Sequence, residues 1–184
     1  ILVLLPLTVT LVLKRDPFAM GVCEGALALG SVFTGLFFVA IFSRIRTDRL
    51  FLRAMALSGL LYVIFCLNPI IWSQIGADIA THAGPYVTFI IGLFLLGGCF
   101  TGVNVAALTI FPRVVLPEMK GRFFALVETL SYASLPVATF AAGAVSDFAT
   151  VPAAMGLCGI GLLGLTWKFS RIEGLSSFDR DEKT

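Results

Sequence analysis

The sequence predicts an all-α, polytopic transmembrane helix bundle with five full spans and a partial first one. Three observations carry that prediction. Of 184 residues, 58% belong to the AVILMFWYC set and only 13% are charged, against about 25% charged in soluble globular domains. Mean hydropathy is +0.99. The apolar residues are gathered into long runs, and a helix needs about 20 of them to cross roughly 30 Å of hydrocarbon. The net charge of +2 lends no support to nucleic-acid binding, so the expected partner along the chain is the lipid bilayer.

Residues 1–13 are apolar but short, about 20 Å of helix at 1.5 Å per residue, and read as the outer part of a span. No basic region precedes them and no A-x-A-like site follows, which argues against a signal peptide. A chain that opens on Ile1 points to further sequence upstream. Five full-length segments follow, at residues 17–42, 50–72, 86–111, 123–145 and 151–167, each ending where charges, proline or polar residues collect. Trp72 and Tyr86 flank the connector 73–85, and Trp167 stands just before Lys168, the positions that amphipathic rings take at membrane interfaces. Pro136 removes a backbone donor inside the fourth full segment, so a kink is expected there. Residues 1–169 read as one bundle and residues 170–184 as a solvated tail.

Orientation follows from the cations. With Lys14 and Arg15 outside, Arg44, Arg46, Arg49, Arg53, Arg113, Lys120, Arg122 and the tail cations lie inside, eleven of the thirteen Lys and Arg. That asymmetry fits the positive-inside rule. It predicts a multi-pass protein of the plasma (cytoplasmic) membrane with a cytoplasmic C-terminus.

No catalytic constellation is visible. Cys23, Cys66, Cys99 and Cys158 lie singly in apolar runs without metal-ligand spacing, and His82 is the single histidine. The expectation is no metal, no cofactor and no enzymatic activity.

Two carboxylates fall inside predicted spans, where charge is costly and usually faces a cavity or a partner. Glu24 lies about 10 Å below the outer boundary and Glu128 about 9 Å above the inner one, from the helical rise. Gly21, Glu24, Gly25 and Ala28 share a helix face, as do Ala125, Glu128, Ser131 and Tyr132. Removal from water favours the neutral form of a carboxylic acid, which makes proton coupling one reading of each glutamate; a passive hydrogen-bond acceptor is the other. Asn104 shares a face with Thr101 and Ala107 and is expected to bridge helices or to contact substrate. Two GxxxG runs, Gly21 to Gly25 and Gly98 to Gly102, mark candidate close-packing surfaces.

Residues 112–147, PRVVLPEMKGRFFALVETLSYASLPVATFAAGAVSD, resemble a stretch of the major facilitator superfamily: the connector between helices ten and eleven, with Pro117, Gly121 and Arg122 in P-E-M-K-G-R, and then helix eleven. The run GALALGSVFTGLFF with its arginine-rich loop resembles helices eight and nine. The resemblance implies the C-terminal six-helix half of a twelve-helix transporter, closest in flavour to drug-efflux members. It assigns inner-loop or gating roles to Arg44, Arg46, Arg49, Pro117, Gly121 and Arg122. The loop Phe42-Ser43-Arg44-Ile45-Arg46-Thr47-Asp48-Arg49 keeps the family's basic residues but lacks the aspartate before the first arginine and the following glycine.

What this implies for function is secondary active transport by alternating access, as proton-coupled export of a small amphipathic or drug-like molecule. The substrate would be held between this bundle and a missing N-terminal six-helix half, in a cavity made apolar by Phe33, Phe37, Phe100 and Phe124. The alternative is a non-transporting membrane subunit or a truncated transporter remnant.

Overall fold

The computed structural model describes residues 4–42, 47–74, 83–148 and 150–171; within these, the side chains of residues 38–42, 47–49, 113, 114 and 147 lie outside the description. The described residues form helices without strands. A short helix α1, Leu4–Leu7, runs directly into a π-helical turn at Thr8–Val12, and then come α2 (Pro17–Phe42), α3 (Thr47–Gln74), α4 (Ala83–Val114), α5 (Lys120–Phe148) and α6 (Val151–Ser170). Helices α2 to α6 are each long and apolar enough to span a bilayer. They extend the predicted spans by up to three residues at either end, because a helix continues through the interface until its backbone finds another partner.

The local chemistry at the helix boundaries is legible. Lys14 takes a left-handed conformation, φ 47°, turning the chain from the π-helical segment into α2, which opens on Pro17. Proline suits a first turn because the hydrogen bond it cannot make is one that position lacks in any case. Pro117 opens a single 3-10 turn, Pro117–Met119, that leads into α5. Thr150 caps α6, its hydroxyl accepting from the Ala153 amide at 3.4 Å, with Pro152 in the first turn. Helix α5 continues through Pro136.

Consecutive long helices are antiparallel, and the packing is a chain of seams: α2 on α4, α4 on α3, α3 on α6. Between apolar helices in lipid, association depends on close van der Waals fit and interhelical hydrogen bonds. The α2–α4 seam supplies both. A methyl group on Gly30 would collide with the Phe94 carbonyl, and one on Gly97 with the Leu27 carbonyl. Ser31 Oγ donates to Gly97 O at 3.1 Å, and Thr101 Oγ1 donates to Ser31 O at 3.2 Å. The α3–α6 seam repeats the device: a Cβ on Gly159 would lie 2.8 Å from Gly59 O, and one on Gly156 would lie 2.9 Å from Cys66 Sγ.

The α3–α4 seam is aromatic. Phe65 and Phe89 are buried with ring centroids 4.8 Å apart, and Phe65 lies over Gly92. These residues belong to a core that includes Leu93, Leu96, Cys23 and Met155 and reaches the first segment through Leu4, Leu5 and Val9. Thr8 Oγ1 donates to Leu4 O at 2.6 Å and touches Met155 Sδ at 3.8 Å.

At the Lys14 end, Trp72 covers Gly84, and Tyr86 OH donates to Ala19 O at 3.1 Å with the Arg15 guanidinium 5.7 Å from its ring. Tyr86 therefore ties α4 to α2 as well as standing near the boundary. At the opposite end Trp167 is exposed and carries Arg171 4.1 Å from its ring centroid.

Helix α5 stands apart. It meets α6 near its C-terminal end, where residues 142–146 are half-buried, and Phe123 meets Phe111 of α4 at 5.8 Å near its start. Between these points residues 128–141 are exposed without interruption.

Candidate functional site

Helix α2 has three distinct faces. Ala19, Cys23, Ala26, Gly30 and Thr34 turn toward α4 and the core. Phe18, Val22, Leu29, Val32 and Leu36 form a second face of exposed, bulky hydrocarbon, suited to lipid. The third stripe, Gly21, Glu24, Ala28, Ser31 and Gly35, repeats at alternating steps of three and four residues. It is small or polar throughout, and apart from half-buried Ser31 it is exposed.

Helix α5 carries the same device along nearly its whole length. Gly121, Ala125, Glu128, Tyr132, Pro136, Thr139, Gly143 and Ser146 follow one another at steps of three or four. They are exposed except for half-buried Gly143 and Ser146. The opposite side presents Leu126, Leu130 and Val137, all well exposed. The hydroxyls of Thr129, Ser131 and Ser134 donate to carbonyls of α5 itself at 2.7, 2.7 and 2.8 Å. The helix thus satisfies those groups internally, as an isolated span must.

Both glutamates are exposed within this chain, and among the described residues neither Glu24 nor Glu128 forms a hydrogen bond or ion pair. Glu24 lies seven residues into α2 and Glu128 eight residues into α5, about 10 and 12 Å along helices that start at opposite ends of the bundle. They occupy different depths on separate helices and do not meet.

Other expected site residues are placed differently. Asn104 is exposed, and its amide donates at 2.9 Å to Phe100 O of its own helix. The expected interhelical bridge is replaced by a bond to the carbonyl one turn back, an option always within reach of a short polar side chain in a helix. Gly98 does mark a close approach, since an added Cβ would lie 2.6 Å from Thr34 Oγ1, whereas one on Gly102 would sit in ordinary contact, 3.4 Å from Ala54 Cβ. Gly21 and Gly25 meet open space instead. The expected aromatic cavity is dispersed. Phe33 stacks near Phe37 at 4.6 Å and Phe94 at 6.0 Å, away from the small-residue stripe, while Phe124 lies beside Phe123 at 5.7 Å.

Pro117, on the 3-10 turn before α5, and Gly121 and Arg122, in the first turn of α5, are exposed. Arg44 and Arg46 lie outside the described residues, as do the Arg49 side chain and the tail beyond Arg171. Among the described residues no group of three or more His, Cys, Asp or Glu gathers as a metal site.

Five antiparallel membrane-length helices, joined by glycine seams and leaving two polar stripes uncovered, define a polytopic α-helical membrane protein. The chain belongs to the transmembrane secretion effector family, whose model matches residues 1–182, and hence to the major facilitator class of transporters. Comparison with curated proteins and with solved structures returns no match.

Proposed function

We propose that the chain is the C-terminal bundle of a proton-coupled exporter of small amphipathic or drug-like molecules, working by alternating access against a second six-helix bundle. One observation carries this reading: besides apolar faces suited to lipid, the chain leaves exposed on α2 and α5 a small, polar stripe that holds a glutamate within a membrane-length helix. A glutamate facing acyl chains would be expensive. A second bundle and a water-filled substrate path between the two would give both stripes a polar setting.

Residues 1–169 then form the bundle and residues 170–184 a cytoplasmic tail in the plasma membrane. The charge distribution supports that orientation, since Arg53, Lys120, Arg122, Lys168 and Arg171 share one end of the bundle and Lys14 and Arg15 the other. Pro117, Gly121 and Arg122 act at the inner connector. Glu24, near the outer end, and Glu128, near the inner end, are the residues assigned to proton exchange, each on the aqueous side that its depth favours.

The test uses the complete reading frame reconstituted in proteoliposomes, with an imposed pH gradient driving export of amphipathic dyes. Glu24→Gln and Glu128→Gln keep size and hydrogen bonding while removing titration. Loss of gradient-driven export, with dye binding retained, is the expected result in at least one variant. Unchanged export in both removes proton coupling through these residues.

A further inference from the structure

At the basic end of the bundle a cleft of about 270 Å³ opens between α2, α3 and α4. It follows from the seam pattern. Among the described residues α2 and α3 both pack on α4 but scarcely on one another, and where they diverge α4 presents Gly98, against Thr34, and Gly102, beside Ala54, so only short side chains floor the cleft. Thr34, Leu57 and Phe94 stand among its walls, and Arg53 is its one charged residue. Leu57 and Leu95 are about half exposed at its rim, so the cleft opens sideways, toward the surroundings of the bundle. None of the lining residues belongs to the glutamate stripes.

The geometry points to a binding site for an anionic phospholipid, with part of one acyl chain in the cleft and the phosphate on Arg53. The volume falls just under the roughly 300–1,000 Å³ of small-molecule sites, and the walls are almost wholly apolar, which suits a hydrocarbon tail better than a drug-sized solute. Arg53 lies six residues into α3, about 9 Å from its start, a depth from which a long cationic side chain reaches the headgroup layer. No carboxylate lines the cleft. With Arg53 the one charged residue lining the cleft, the charge there favours an anionic headgroup over a zwitterionic one.

Native mass spectrometry of the purified chain in detergent tests this. Phosphatidylglycerol and phosphatidylcholine with identical acyl chains are titrated in parallel, and inorganic phosphate forms a separate arm. The expected result is retention of phosphatidylglycerol at about tenfold lower concentration, which corresponds to about 1.4 kcal/mol. Arg53→Gln brings the two lipids level, Arg53→Lys keeps most of the preference, and Gly102→Leu, which fills the cleft, weakens both lipids. Leu57→Trp is the second filling variant should Gly102→Leu lose its helical circular dichroism. Equal retention of the two lipids by the unaltered chain overturns the proposal, and so does an undiminished preference in Arg53→Gln. Arg53-dependent binding of inorganic phosphate as tight as that of the lipid also overturns it, because the cleft would then contribute nothing.

Discussion

Replacing Gly97 by alanine tests the packing logic of the bundle with a single methyl group. By intrinsic propensity the change should help, since alanine is favoured over glycine in a helix interior by about 1 kcal/mol. Here the new Cβ runs into the Leu27 carbonyl and comes within 3.1 Å of the Ser31 amide nitrogen. Backbone atoms do not yield as a flexible side chain would, so α2 must move off α4. That movement strains two interhelical bonds, Ser31 to Gly97 O and Thr101 to Ser31 O. Such bonds average about 0.6 kcal/mol in membrane proteins and reach about 1.7, so losing both costs about 1 to 3 kcal/mol. Overpacking adds about 1 to 3 more. After the propensity gain is subtracted, the net loss is about 1 to 5 kcal/mol. Gly25→Ala is the matched control, on the same pair of helices but with open space around its Cβ; it should be neutral or slightly stabilising. Reversible unfolding in mixed micelles of increasing SDS fraction, followed by helical circular dichroism, measures both. Equal effects at the two positions, or a stabilised Gly97→Ala, would refute the claim that the α2–α4 seam is set by backbone approach.

Other expectations follow from the remaining seams. Phe65→Ala empties the aromatic contact between α3 and α4 and should cost about 3 kcal/mol in the same unfolding assay, as large-to-small core changes do. Tyr86→Phe removes one hydroxyl donor at the Lys14 end of the bundle while keeping the ring beside Arg15, so a loss of about 0.5 to 1 kcal/mol is expected. Thr150→Ala should cost about 0.5 kcal/mol, at the low end of the range for an N-cap because the bond is long, and amide exchange should quicken in the first turn of α6.

The spans were legible in the sequence because their signal is bulk hydropathy over twenty or more residues, which later packing does not alter. The glutamate stripes were legible too, since a helical face is written into steps of three and four. Partner choice was not. The sequence offers small residues on several faces of α2, and the pair picked out by motif, Gly21 and Gly25, lies free, while Gly30, outside any GxxxG run, makes the closest approach to α4. Which small face meets a neighbour depends on the complementary surface across the seam, and spacing along one helix carries no record of it. Asn104 shows the same limit: a bond to Phe100 O and a bond to another helix require the same residue in the same place. The dispersed phenylalanines mark the reverse case, where composition implied a shared cavity and rotation about each helix axis separated the rings.

The two faces of α5 allow a final discrimination between a helix bathed in lipid and one bordering a water-filled path. Single cysteines at Gly121, Ala125, Thr139 and Gly143 sample the polar stripe, and Leu126, Leu130 and Val137 sample the opposite face; the four native cysteines are first replaced by serine or alanine. In membranes holding the complete protein, a water-soluble maleimide requires the thiolate and therefore water at the site. If the stripe faces an aqueous path, labelling rises and falls with a period near 3.6 residues, and the stripe positions react at least about tenfold faster than their opposites, since thiolate formation is suppressed in apolar surroundings. Adding an amphipathic substrate should then slow labelling at Ala125 and Thr139, which flank Glu128 and Tyr132, and leave the lipid-facing positions unchanged. Uniformly slow labelling on both faces would mean that α5 is enclosed by lipid or protein on every side. Glu128 would then be a packed or snorkelling carboxylate, and the transport role assigned to it would fail even if the helix is placed as described.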